Sequence, residues 1–217
     1  MSNGFSPYTS NGGTTMGIAG GDFVLVASDT RLCEEGSYMI YSRNSPHLFR
    51  MGKNKILAAT GFHGDVLTLT KLLENRVKTY RYDHGKEIST NAMAGLIAVT
   101  LYNRRFFPFY LSNILAGLDD EGRGALYRYD PVGSFERVKY DASGSSGIIL
   151  QPLLDNRVGG KNLTSELPHL DKDSAVKLAH DVFISAAERD INCGDSVVVC
   201  VITREGIEEK QFPLRRD

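Results

Sequence analysis

At 217 residues the chain suits one large domain or two small ones, and 41% apolar with 24% charged residues is the balance of a globular protein that buries a sizeable core. A formal net charge of −1 supplies no global field for nucleic acid or an acidic membrane, and no apolar run approaches the roughly 18 residues that a membrane span needs. Cys33, Cys193 and Cys200 are few, odd in number and not in metal-ligand spacing, which suggests a reducing compartment.

Residues 1–13 are small, polar and Gly-rich, and read as an irregular N-terminal arm ahead of a domain over 14–217. Met1-Ser2-Asn3-Gly4 has neither basic region nor apolar core, so no secretory leader is expected. Thr15 to Ala19 and Phe23 to Ala27 are predicted strands joined by a Gly20-Gly21-Asp22 hairpin turn. Arg31 to Asn44 is turn-like, with a short strand at Tyr38 to Tyr41. Leu48 to Met51 and Lys55 to Thr60 are strands turning at Gly52-Lys53-Asn54.

The period then changes from two to 3.6. Phe62, Val66, Leu69, Leu73, Val77 and Tyr80 predict a helix over 62–81 that Asp83-His84-Gly85 ends. A second helix is predicted from Ser89, its cap, to Arg105, with Ala92, Leu96, Val99 and Asn103 on one stripe and a small-residue face (Ala92, Ala94, Gly95, Ala98) for close packing. Leu111 to Gly117, Gly124 to Tyr129 and Glu136 to Tyr140 read as strands. Ile148 to Leu154 reads as a short helix, and Asn156 to Leu170 as a long polar connection. Asp173 is the predicted cap of a helix over 174–189 with Val176, Ala179, Val182, Phe183 and Ala186 inward. Ser196 to Thr203 and Ile207 to Phe212 close the chain as a hairpin. Strands too numerous for one sheet, with helices in segregated groups, predict an α/β (α+β) chain folded as a four-layer α/β/β/α sandwich of two stacked antiparallel sheets.

The chemistry concentrates around Asn11-Gly12-Gly13-Thr14-Thr15 and Asp29-Thr30-Arg31. A Gly-Thr step ahead of an apolar strand can be a self-cleavage junction that frees a threonine whose own α-amino group is its base. Other candidates have plainer readings. His63 beside Asp65 is a capping and packing pair at a helix start, and Gly144-Ser145-Ser146-Gly147 lacks the lysine of a phosphate loop and is a turn. Arg104-Arg105-Phe106-Phe107 is a helix-end cation pair over buried aromatics. Cys193 has no evident adjacent base and reads as an inert small residue, and Asn162-Leu163-Thr164 as a chance glycosylation sequon.

Gly-Thr on the first strand and Asp-x-Arg after the second are joined by seven further segments: Phe5-Ser6-Pro7-Tyr8, Asn11-Gly12-Gly13-Thr14, Gly61-Phe62-His63-Gly64-Asp65, Arg104-Arg105-Phe106-Phe107-Pro108, Asp130-Pro131-Val132-Gly133-Ser134, Leu150-Gln151-Pro152-Leu153-Leu154-Asp155-Asn156 and Phe183-Ile184-Ser185-Ala186-Ala187-Glu188-Arg189-Asp190. With them, nearly the whole chain resembles a proteasome β subunit. The resemblance implies the fold of the N-terminal-nucleophile hydrolases and a place in a β ring stacked with α rings. The partners would be other β and α subunits and unfolded polypeptide in the chamber, in the cytoplasm and nucleus, with no nucleic acid, no membrane, no metal and no cofactor.

The same resemblance implies a catalytic threonine sixteen positions ahead of Asp29, and that position is Gly13. Asp29 and Asp190 stand where the family keeps carboxylates, Ser145 stands near its supporting serine, and Cys193 replaces another serine. The family's lysine falls at about His47, a weaker cation near neutral pH. These residues imply a structural, non-catalytic subunit whose arm, Ser2 to Gly12, runs past the degenerate site. Arg31 to Asn44 and Asn156 to Leu170 are the candidate contact loops. Two rival readings are a threonine protease that cleaves after Gly13 to expose Thr14, and a free-standing monomeric binding module.

Overall fold

The computed structural model describes residues 8–164 and 170–216, so the first half of the arm and part of the polar connection lie outside the described residues. The first half of the chain carries β1 (Thr14–Ala19), β2 (Val24–Asp29), β3 (Leu32–Cys33), β4 (Ile40–Ser42), β5 (Leu48–Arg50), β6 (Lys55–Gly61), α1 (His63–His84) and α2 (Thr90–Tyr102). It continues with β7 (Leu111–Leu118), β8 (Gly124–Tyr129), β9 (Phe135–Val138), β10 (Tyr140–Gly144), α3 (Gly147–Arg157), α4 (Lys172–Ala187), β11 (Ser196–Thr203) and β12 (Gly206–Pro213). One sheet runs β10-β1-β2-β11-β12 and the other β5-β6-β7-β8-β9, with β3-β4 as a separate ribbon and every pairing antiparallel.

The four layers follow from strands buried on both faces. In β2, Val24 and Val26 enter the layer between the sheets with Ile56, Ala58, Ile114, Ala116 and Leu126. Leu25 and Ala27 enter the opposite layer, under α3 and α4, with Phe183, Val182 and Leu150. Successive side chains of a strand point to opposite faces, so a continuously apolar strand serves two cores. On the far side α1 and α2 cover the second sheet through Leu69, Leu73, Met93 and Ile97. At Gly17 a Cβ would stand 2.5 Å from Leu126 Cδ1, and this close approach of β1 to β8 requires glycine.

Several local expectations change. The stripe of Ala92, Leu96, Val99 and Asn103 is not the inward face of α2: Thr90, Met93, Ala94, Ile97 and Leu101 are buried, while Ala92 and Val99 are exposed. A helix made almost entirely of apolar residues has too little moment to reveal its inner side. The same helix ends at Tyr102, so Arg104 and Arg105 lie beyond it. Of the neighbouring aromatics, Phe109 is buried under Arg104 at 4.3 Å, whereas Phe106 and Phe107 are exposed.

Two strands escape the sequence pattern. β3 is only two residues long, and β10 is a polar edge strand that carries the chain back from the second sheet to pair with β1. Helix α3 runs on through Arg157, so the polar connection begins later than Asn156. The cap of α4 is Asp171, which accepts a hydrogen bond from Ser174 N at 2.8 Å, and Asp173 sits within the first turn. Ser89 caps α2 as expected, and Gly85, with φ +63°, closes α1 in the left-handed conformation. Losing the cap carboxylate removes a hydrogen bond, while losing Asp173 removes only a dipole interaction. Asp171→Ala is therefore expected to cost about 1 kcal/mol and Asp173→Ala about 0.5 kcal/mol by urea denaturation of the chain.

Candidate functional site

The end of β2 delivers Asp29 into the interior, where it is fully buried and bonded on several sides. Thr14 N donates to Asp29 Oδ1 at 2.8 Å, and Gly194 N donates to Oδ2 at 3.4 Å. His47 Nδ1 lies 2.9 Å from the Asp29 carbonyl oxygen and 3.6 Å from Oδ1. The start of β1, the segment before β5 and the 190–195 loop are thereby drawn to one point.

Gly13 sits at that point with φ +84°, in the left-handed region that favours glycine. A Cβ there would stand 2.9 Å from Thr60 Cγ2, 3.0 Å from His47 Cε1 and 3.1 Å from His47 Nε2. The imidazole thus lies beside the point from which a side chain at position 13 would project. Burial on its own lowers the His47 pKa, but the Asp29 carboxylate and carbonyl favour the cation, and the net shift is upward. His47 is therefore a better cation than its unperturbed chemistry suggests. What the site lacks at Gly13 is the hydroxyl.

Thr14 points elsewhere. Its Oγ1 lies 3.1 Å from Ser145 Oγ and accepts from Ser146 N at 3.1 Å, and the residue is completely buried. The serine tied to Asp190 is Ser146, whose Oγ donates to Asp190 Oδ2 at 2.6 Å; Ser145, singled out from the sequence, meets Thr14 instead. Asp190 also accepts from Asn192 N at 2.9 Å and so shapes the loop that carries Cys193. Burial, and then the Asp29 charge, push the Cys193 thiol well above its ordinary range, so it is a packed, unreactive group.

Asp29, His47, Ser145, Asp190 and Cys193 are thus gathered around Gly13 and Thr14, although they come from four separate stretches of chain. Asp195 was not legible as a site residue, and Asn11 and Ser146 stood out only as members of the 11–15 and 144–147 stretches. Asp195 holds φ +67° and bridges Arg31 Nε at 2.8 Å and Arg43 at 2.6 Å, so the Asp-x-Arg arginine fastens the 191–195 loop. Asn11 stitches the arm down. Its N donates to Gly61 O at 2.9 Å, its side chain donates to Cys33 O and accepts from His63 N, and its carbonyl accepts from Cys33 N. Ser10 O accepts from Glu35 N at 3.0 Å, and Tyr8 packs edge-on against Phe62 and Phe107. A cleft of about 340 Å³ remains beside the arm, lined by Ser10, Gly12, Glu35, Thr60 and Ser145.

The His63–Asp65 pair is structural: Asp65 Oδ2 accepts from Tyr110 N at 2.8 Å. Among the described residues no group of three His, Cys, Asp or Glu side chains is placed to hold a metal, and no helix is long and apolar enough to cross a membrane.

A family model described as "Proteasome subunit" matches residues 9–202. The chain is 52% identical to proteasome subunit beta type-1-B of Carassius auratus over 214 residues, spanning 98% of this chain and 90% of that one. It is 47% identical to proteasome subunit beta type-1 of Drosophila melanogaster, with 98% and 91% covered. Proteasome subunit beta type-6 of Saccharomyces cerevisiae is 41% identical, with 98% and 92% covered.

The two histidines near the arm should titrate in a set order. His47, which is buried, is raised above the usual 6.5, and the half-buried His63 is lowered by burial and by the His47 charge. A raised histidine contributes stability that is complete below 6.5 and disappears as pH rises through its higher folded value. NMR titration of the ring protons is expected to find His47 changing charge at higher pH than His63, and His47→Gln to remove the corresponding loss of stability above pH 6.5.

Proposed function

The chain belongs to the proteasome subunit family, and from that premise we propose that it is a non-catalytic β subunit of the 20S core particle. It takes its place in a ring of β subunits stacked against α subunits, around a chamber that admits unfolded polypeptide for degradation. The observation that carries the inactive reading is Gly13: the position that faces His47 and lies next to the Asp29 network has no side chain to attack a peptide carbonyl. Gly13, Asp29, His47, Ser145, Asp190 and Cys193 are then the remains of a catalytic site, kept because they now hold β1, β2 and the 190–195 loop together. No cofactor or metal enters this function.

Residues 1–13 form a retained arm and 14–217 the β-type domain. The stitched backbone of Ser10 and Asn11 supports retention, since release would leave the Cys33 and Glu35 amides and the Gly61 carbonyl to find new partners. Cleavage after Gly13 to expose Thr14 is disfavoured by the Thr14 hydroxyl itself, which is buried and engaged by Ser145 and Ser146. Assembly is favoured over a free-standing module by the exposed apolar groups on the β3–β4 ribbon, Tyr38, Met39 and Tyr41. They make Arg31 to Asn44 a contact segment, with the 156–170 connection as a second. Such particles work in the cytoplasm and nucleus, and three buried free thiols fit a reducing compartment.

Intact-mass measurement of the subunit from assembled particles is expected to find chains that retain residues ahead of Gly13; a chain that starts at Thr14 overturns the reading. Gly13→Thr is expected to gain no peptidase activity and to lose roughly 1–3 kcal/mol, because a β-branched residue is forced to positive φ against Thr60 and His47. Native size measurement in extract separates the third possibility, since a stable monomer would exclude ring assembly.

A further inference from the structure

The chain is close to electroneutral at −1, yet one recess gathers cations without acids. It lies at the end of β1 opposite Gly13, where the β1–β2 turn, the start of β8, the β9–β10 junction and the end of α3 meet, and it encloses about 680 Å³. Arg123, Arg137, Lys139 and Arg157 line it, and among the described residues no Asp or Glu borders it.

Two of these cations are partly neutralised. Arg123 and Arg137 share one carboxylate, Asp119, at 3.2 and 2.9 Å, and Arg123 also pairs with Glu121. Lys139 and Arg157 are exposed, and neither makes a side-chain hydrogen bond or an ion pair among the described residues. The acids nearby in the chain are engaged elsewhere or stand outside. Asp155 meets Lys161 at 3.0 Å and Tyr140 at 2.8 Å, Glu136 meets Arg128 at 2.6 Å, and Asp22 does not border the recess. The dipole at the end of α3 accounts for Arg157, but not for the convergence of cations from separate elements, which repel one another.

The floor of the recess is apolar. Val158 and Leu170 belong to the edge of the layer under α3 and α4, and Ala19 and Val138 to the edge of the layer between the sheets. All four are half-buried, with Ile18 buried beneath them. Two cores are thus left partly open at the same end of the sandwich. Cationic walls around an apolar floor suit a partner that is both acidic and apolar. A polyphosphate would satisfy the walls and leave the floor wet.

We propose that this recess docks an acidic segment of another polypeptide. An apolar side chain of the segment sits on Val138, Val158 and Leu170, and its carboxylates pair with Lys139 and Arg157. Arg123 and Arg137 add to the positive field around it. The surface lies a full strand away from Gly13 and stands apart from the reading of that site.

Fluorescence anisotropy of the labelled peptide Glu-Leu-Glu-Glu-Leu-Glu, titrated with the full chain, tests this. Counterparts with Gln for every Glu, or with Ser for every Leu, are expected to bind about tenfold more weakly. The same loss is expected for the acidic peptide with the double variant Lys139→Glu, Arg157→Glu. Lys71→Glu, on α1 and outside the recess, is expected to leave binding unchanged. These variants alter exposed side chains, and their thermal midpoints check that they fold. Raising salt from about 50 to about 200 mM should weaken binding severalfold, because exposed charges are screened. No binding of the acidic peptide, equal binding of its Ser counterpart, or undiminished binding by the double variant overturns the proposal. Displacement of the peptide by equimolar tripolyphosphate overturns it as well, and assigns a phosphate site instead.

Discussion

The buried Asp29 carboxylate is the constraint on which the rest of the site depends. A buried carboxylate must be met by partners, and here they come from distant stretches: Thr14 N and Gly194 N donate to it, and the His47 ring, bonded to the Asp29 carbonyl, stands 3.6 Å from Oδ1. Each donor fixes one chain segment relative to the end of β2. The second buried pair, Arg31 with Asp195, locks the same 190–195 loop from its other side, and removing one partner would strand the other in the interior. An acyl-transfer site needs this kind of preorganisation, and a structural subunit can keep it for the stability alone.

The site turns on a few atoms. Asp29 holds His47 more basic than a free imidazole. At Gly13 the positive φ and the close approach of Thr60 and His47 crowd any side chain. Backbone conformation and missing hydroxyl support each other: once glycine allows φ +84°, the arm can turn and be stitched to Cys33, Glu35 and Gly61.

Much of the fold was legible because its signals are local. β8 and β11 have the predicted bounds, α1 and the inward face of α4 follow the 3.6-residue period, and Ser89 caps α2. The misses share a cause. α2 is apolar nearly all round, so its inner face is chosen by the sheet beneath it and not by its own pattern. β10 is polar because it is an edge, and pairing with β1 makes it a strand. Asp171 and Asp173 are chemically equal candidates two residues apart, and only backbone geometry at Ser174 separates them.

The chain's covalent identity alone determined that position 13 carries no hydroxyl and that Asp29, His47 and Asp190 remain available, since no folding can add or remove a functional group. It also determined the layered class, because doubly apolar strands and segregated helices have few ways to bury their faces. Tertiary structure alone decided that Ser146, and not Ser145, reaches Asp190, and that His47 is pressed against Asp29. Those are relations through space between segments far apart in the chain, set by strand register and loop closure, and one-dimensional spacing carries no record of them.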